Sequence, residues 1–173
     1  MLPSYITLRH ELNEAEQRNI LEATKWASVR KRDVLAPGFL DNLHKRMFNN
    51  VWRWAGIHRR SGKTIGIDAY RIPQELAQLM DDCRDWIQNR SFEPDEIAVR
   101  FHHKLVWIHP YSNGNGHHAR IATDLLLHMM GRPEFTWGSE NLADSGTVRK
   151  AYIEALRSAD RHDYKPLLEF VRT

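Results

Sequence analysis

The run His109-Pro110-Tyr111-Ser112-Asn113-Gly114-Asn115-Gly116-His117-His118-Ala119-Arg120 separates two apolar segments of helical period. Before it, Ile97, Phe101, Leu105 and Ile108 recur at helical spacing from Pro94 onward; after it come Ile121, Leu125, Leu126 and Met129. Proline, serine, asparagine and glycine between them specify a sharp loop that feeds a second helix. Such a loop turns backbone N–H groups toward one point, and the helix macrodipole adds partial positive charge there, so it binds anions and above all phosphate. Gly114 and Gly116 allow unusual backbone angles and close approach, Asn115 offers a side-chain amide, and Arg120 lies one turn inside the helix. His109, at the front of the loop, is the side-chain type suited to take a proton near neutral pH. The same letters also fit a plain Gly-Asn turn with an exposed His and Arg, because Asn-Gly pairs are common turn formers.

Working outward, Leu12, Ala15, Ile20, Ala23 and Ala27 predict a first helix to about Val29. A second opens after Ala36-Pro37-Gly38 and runs through Leu40, Leu43, Met47, Val51 and Trp54 to Gly56. Arg59 to Asp68 carries two glycines and β-branched residues, which suits a small hairpin. Helices follow over Pro73 to Gln88, Ser145 to Ala159 and Tyr164 to Val171, while Phe135 and Trp137 mark the stretch between them as packed. The expected fold is all-α, a helical bundle with one small hairpin, forming a single domain over residues 1–173 with an N-terminal helix over about 7–30 packed on the core.

The 173 residues suit one domain, and 42% hydrophobic and 10% aromatic residues supply a core. Twenty-five Lys and Arg against 22 Asp and Glu leave a charge of +3, too balanced for a polybasic surface, so neither direct nucleic-acid binding nor membrane attachment is expected. Cys83 is alone and cannot form an intramolecular disulfide, and no apolar run approaches a membrane span; both favour a cytoplasmic protein. The chain has ten histidines. His44 and His103 are expected as partly buried packing residues, and His10, His58 and His162 as facing water. His102, His103, His109, His117 and His118 do not have the spacing of a zinc site, since no H-E-x-x-H occurs and neighbouring helix positions point about 100° apart.

The central run resembles the Fic motif, H-P-F-x-(D/E)-G-N-G-R-x-x-R, at His109, Pro110, Gly114, Asn115, Gly116 and Arg120 without a gap. Leu43-His44 through Met47-Phe48 to Trp52-Arg53-Trp54-Ala55-Gly56 is similar to the segment that precedes it in that family. Within the family, Ile65 to Pro73 and Phe101 to Pro110 look most like the subgroup labelled mobile mystery protein B. The resemblance spans roughly Ile6 to Leu127.

It implies transfer of AMP from ATP to a Ser, Thr or Tyr hydroxyl of a target protein. In that scheme His109 is the base, Gly114, Asn115, Gly116 and His117 surround the phosphates, and Arg120 clamps their far end. Pro110 and Tyr111 anchor the loop, and Asn113 takes the place of the acidic ligand of Mg²⁺ or Mn²⁺. Lys63, Thr64, Ile65, Gly66 and Ile67 fall in the flap that holds the target extended. The subgroup implies a small DNA-binding protein as a companion.

Beyond Tyr111 for Phe, which keeps an aromatic anchor, two letters depart from the motif. Asn113 can ligate a metal but brings no charge, and His117 stands where the motif has an arginine fork. Both remove charge from a polyphosphate site, which leaves open a catalytically inactive module that recognises a partner protein. Thr7-Leu8-Arg9-His10-Glu11-Leu12 matches five positions of the family's inhibitory pattern, (S/T)-x-x-x-E-(G/N), and would set Glu11 against Arg120; Thr7 reads equally well as a helix N-cap.

Overall fold

In the computed structural model, residues 9–62, 65–138 and 146–173 are described. The described chain runs α1 (Arg9–Ser28), α2 (Phe39–Phe48), a 3₁₀ turn (Ala69–Arg71), α3 (Ile72–Asn89), α4 (Pro94–Ile108), α5 (Asn115–Met129), α6 (Gly146–Ala159) and α7 (Lys165–Val171). Proline opens α3, α4 and α7, where its missing N–H costs nothing.

Two apolar clusters share the central pair α4 and α5. Ala23 and Ala27 of α1, Leu43 and Met47 of α2, Leu79 of α3, Phe101 and Leu105 of α4, and Leu126 of α5 form the larger one. Ala98 and Val99 from another face of α4, Leu127 from α5, and Tyr152 and Leu167 from α6 and α7 form the second, with Phe135 and Trp137. Buried on both sides, α4 is fixed in rotation as well as position, and so is the loop at its end. Arg172 closes the second unit, pairing with Asp95 through two bonds of 2.7 and 2.8 Å.

Two expectations are corrected. α2 stops at Phe48, six residues short of Trp54, because the chain turns back on it: Gly56 adopts φ 74° so close to α2 that a Cβ there would lie 2.7 Å from Lys45 Cβ. Its N–H donates to His44 Nδ1, and Trp52 and Trp54 stack at 5.4 Å. The hairpin expected over Arg59–Asp68 is not formed among the described residues. Residues 59–62 and 65–68 form no strand, and the nearest β pairing is one antiparallel bridge from His58 to Tyr111. Their backbone is held by a side chain instead, the Arg59 guanidinium. Lys63 and Thr64 lie outside the described residues, as does Thr7.

Candidate nucleotide site

α4 ends by placing His109 in the left-handed region (φ 52°, ψ 61°), with its N–H donating to the Leu105 carbonyl at 3.2 Å. That turn swings the chain off the helix axis and leaves the imidazole half-buried. The loop is then closed by one residue: Asn115 Oδ1 accepts from Tyr111 N–H and Asn115 Nδ2 donates to the Tyr111 carbonyl, both at 2.9 Å. The amide expected to reach the ligand is therefore committed to the loop, and Asn115 can offer an anion only its backbone N–H.

Gly114 caps α5 with φ 75°, and a Cβ there would strike the Phe48 ring at 2.4 Å, so no other residue fits without displacing Phe48. Gly116 is different. Its backbone is helical, and a Cβ there would meet nothing within 4 Å. Packing does not require this glycine; it leaves space at the helix mouth. The first bond of α5 runs from His118 N–H to the Gly114 carbonyl at 3.0 Å, so the N–H groups of Asn115, Gly116 and His117 precede the intrahelical ladder and open toward that space.

Behind the loop lies a buried aromatic wall. The His44 ring stacks on Tyr111 at 3.7 Å, and the His118 ring meets Tyr111 edge-on at 5.0 Å. His44 Nε2–H donates to the Asn113 carbonyl (3.1 Å) while Nδ1 accepts from Gly56, which fixes its neutral tautomer; burial lowers its pKa to about 4. His118 Nε2–H donates to the Leu40 carbonyl (2.9 Å), and burial takes its pKa to about 3. Tyr111 O–H and His58 Nε2–H both donate to Asp41 Oδ1 at 2.8 Å. His44 is thus fully buried rather than partly so, and His58 is half-buried and bonded rather than facing water.

In front of the loop the polar groups have fewer commitments. Arg120, one turn below Gly116, is half-buried and makes no hydrogen bond or ion pair with any described residue. Burial lowers its pKa, partly offset by Tyr152 and Asp124. Asp124, a turn further on, accepts from Trp137 Nε1–H (3.0 Å) and Phe135 N–H (3.2 Å), and burial raises it to about 6. His117 is exposed, and desolvation of its ring, then the Arg120 charge, lowers its pKa, so it is neutral at pH 7. Asn113 is exposed, with Oδ1 accepting from Gly114 N–H at 2.9 Å and a second lone pair left over. No acidic residue occurs between His109 and Arg120, and no group of three or more His, Cys, Asp or Glu that could hold a metal forms among the described residues.

The loop between α4 and α5 thus carries a half-buried histidine, the outward-pointing first amides of a helix and, one turn further on, a half-buried cation. The Fic/DOC family model matches residues 35–127, more than half the chain. The chain belongs to the Fic/DOC family.

Among relatives of this Fic/DOC chain, a "Protein adenylyltransferase Fic" of Nematostella vectensis is 26% identical over 167 residues, covering 92% of this chain and 38% of its own length. One of the same name from Aedes aegypti is 29% identical over 147 residues, covering 83% of this chain and 28% of its own. The chain therefore spans between about a quarter and two-fifths of the length of these relatives. Among solved structures, Fic-1 of C. elegans superposes with a TM-score of 0.71 at 21% identity, covering 99% of this chain and 50% of that one. BepC of Bartonella tribocorum, solved with bound AMPPNP, gives 0.71 at 18% identity, covering 96% and 87%. The all-α fold is that of these Fic structures.

His109 caps α4, the open amides begin α5, and His117 lies close enough to Arg120 for that charge to lower its pKa. Glu11 lies on α1, which packs against α2 and α5. Of the flap residues, Ile65 is 63% exposed, Ile67 is buried, and Gly66 lies directly over His109. Arg59, buried to 3% exposure, was not expected among the site residues. Its only sequence signal was an arginine next to a second one in a segment read as a hairpin.

Proposed function

We propose that this Fic/DOC chain is a protein adenylyltransferase. A target hydroxyl oxygen bonds to the α-phosphorus of ATP, the bond to the β-phosphate bridging oxygen breaks, pyrophosphate leaves, and His109 takes the hydroxyl proton. The amides of Asn115, Gly116 and His117 hold the phosphates as charge builds on them. Arg120 meets the distal phosphates, and the observation that carries the reading is this one: a half-buried guanidinium that makes no hydrogen bond or ion pair among the described residues, one turn below an open helix mouth, has the geometry of a site completed by an anion. The AMPPNP bound to BepC supports the same choice of ligand.

Mg²⁺ or Mn²⁺ would supply neutralisation of phosphate charge when bound, and Asn113 Oδ1, which brings no charge of its own, is the loop oxygen that would hold it. The acceptor is a Ser, Thr or Tyr hydroxyl, presented along the Ile65–Ile67 segment, and Lys63 and Thr64 belong to the same flap. The 173 residues act as one Fic domain with α1 as a packed N-terminal helix that can carry regulation through Glu11. A small DNA-binding companion follows from the subgroup resemblance alone. The free, buried Cys83 supports a reducing, cytoplasmic setting. No described helix is long and apolar enough to cross a membrane.

A second reading, a partner-binding module without turnover, is favoured by one observation: His117 and Asn113 leave Arg120 as the single permanent cation between His109 and Arg120. Incubation with α-labelled ATP, Mg²⁺ or Mn²⁺ and candidate target proteins, beside His109→Ala, separates the two. His109-dependent α-label on protein is expected of the enzyme. Saturable ATP binding with no such label in either variant sinks the enzyme reading in favour of the module.

A further inference from the structure

Arg59 sits where the loop that crosses the site leaves the body of the protein, and it is 3% exposed. Its backbone N–H donates to the Pro110 carbonyl at 2.9 Å. Its guanidinium spreads between two segments. On one side Nε donates to the His109 carbonyl at 2.7 Å and Nη2 to the Ile108 carbonyl at 3.3 Å. On the other, Nη1 donates to the Ser61 carbonyl at 3.0 Å and Nη2 to the Ile67 carbonyl.

No carboxylate pairs with it among the described residues. Its counter-charge is the negative end of the α4 dipole, the terminal carbonyls of that helix. A buried charge satisfied by carbonyls alone is costly to hold unless the whole set is present together. Gly66 completes the arrangement. With φ 100° it lies against His109, and a Cβ would come within 2.6 Å of His109 Cβ and 2.7 Å of Arg59 Nη2. Ser61 and Ile67 are therefore both tied to Arg59, with Gly66 directly against His109.

We infer that Arg59 is a positioning residue: it clamps the flap to the carbonyls of Ile108 and His109, so that the segment presenting the target and the backbone carrying the base are set by one side chain. The inference rests on the adenylyltransferase reading for its effect on turnover, but the clamp itself is testable without it. A planar fork with five N–H donors can span both segments; a lysine ammonium, with three donors at one point, cannot. The clamp lies on the His109 side of the loop and touches none of Gly114, Gly116 or Arg120. Charge alone is thus not sufficient at this position, and loss of the fork should separate transfer from nucleotide affinity.

The test compares the parent chain with Arg59→Lys and Gly66→Ala, reading amide hydrogen exchange over residues 60–70, ATP affinity by titration with Mg²⁺ present, and His109-dependent transfer of α-label. In Arg59→Lys the amides of 60–70 should exchange at least tenfold faster while those of α3 keep their protection, ATP affinity should stay within about threefold, and transfer should fall at least tenfold. Gly66→Ala, which keeps the arginine but drives a Cβ against its Nη2, should show the same pattern and covers the case in which Arg59→Lys does not fold. Parental exchange over 60–70 in both variants overturns the inference. So does loss of ATP affinity in parallel with transfer, which would make Arg59 a general structural residue. If the parent itself transfers no label, the adenylyltransferase reading fails, and faster exchange confined to 60–70 still upholds the clamp.

Discussion

The two faces of the motif loop use the same residue type in opposite ways. Behind the loop, His44 and His118 are fully buried, donate to the carbonyls of Asn113 and Leu40, and are held neutral far below the ordinary histidine range. In front, His109 and His117 stand at the open face beside the half-buried Arg120. His102 extends the rear group: Tyr152 O–H donates to its Nε2 at 2.7 Å, its Nδ1–H donates to Thr123 Oγ1 at 3.3 Å, and Thr123 O–H passes on to the Ala119 carbonyl at 2.7 Å. The rear rings serve the scaffold, each tied by hydrogen bonds into the body of the protein.

Substitution should divide along the same line. The largest effect is expected for His109→Ala, with transfer down by about 10²–10⁴-fold, the usual worth of a general base. Melting temperature and ATP affinity should barely move. His44→Ala should do the reverse, costing about 3 kcal/mol by chemical denaturation, because the Gly56 N–H and Asn113 carbonyl lose their partner and a cavity opens against Tyr111. A His109 variant that lost stability instead, with turnover intact, would erase the distinction.

Acid should act on the rear face. His44, His102 and His118 have folded-state pKa values of about 4, 3 and 3 against 6.5 when unfolded, so the unfolded chain binds more protons between those limits. Their contribution is complete above about pH 6.5 and is lost as pH falls. Asp124 runs the other way, raised to about 6 from 3.8, and takes up a proton in the folded state. Three protons against one leaves a net uptake of about two on unfolding, or roughly 3 kcal/mol of stability lost per pH unit between about 6 and 4. Denaturation midpoints measured across that range check the slope; a flat profile would mean that the rear histidines are not held neutral.

Smaller effects belong to the front. Arg120→Met should weaken ATP binding by about 10- to 100-fold with little change in stability, read by titration. His117→Arg should strengthen it by about 3- to 10-fold by restoring a permanent charge. In the parent, affinity for ATP should rise as pH falls, since His117 starts neutral and phosphate favours its protonated form; the arginine variant should lose that dependence.

Most helices were legible in the sequence because their apolar spacing reports a buried stripe, as in α4, where Ile97, Phe101, Leu105 and Ile108 all enter the interior and Ala98 and Val99 bury a second face. The loop was legible too, since Gly114 and Asn115 are demanded by local geometry. The end of α2 was not: Val51 and Trp54 keep helical spacing, but they meet the core through a turn built on the His44–Gly56 bond, a contact between residues twelve apart. The conformation of the flap was hidden for a related reason. Thr64, Ile65 and Ile67 carry strand propensity, whereas the segment's backbone is satisfied by Arg59, and a side chain bridging 49 and 50 residues to α4 and its cap leaves no periodic trace. Asn115 shows a subtler limit. Its amide had two uses, and only the fold shows that Tyr111 takes it.

The division between the two faces is tested most directly by nuclear magnetic resonance of the histidine rings, titrated from pH 7.5 to 5 with and without ATP and Mg²⁺. His44, His102 and His118 should keep neutral-ring signals throughout, unchanged by nucleotide, while His109 and His117 shift on ATP addition and His117 gains its proton at a higher pH in the complex. Ordinary titration of His44 or His118 near pH 6.5, or ATP shifts confined to the rear rings, would contradict it.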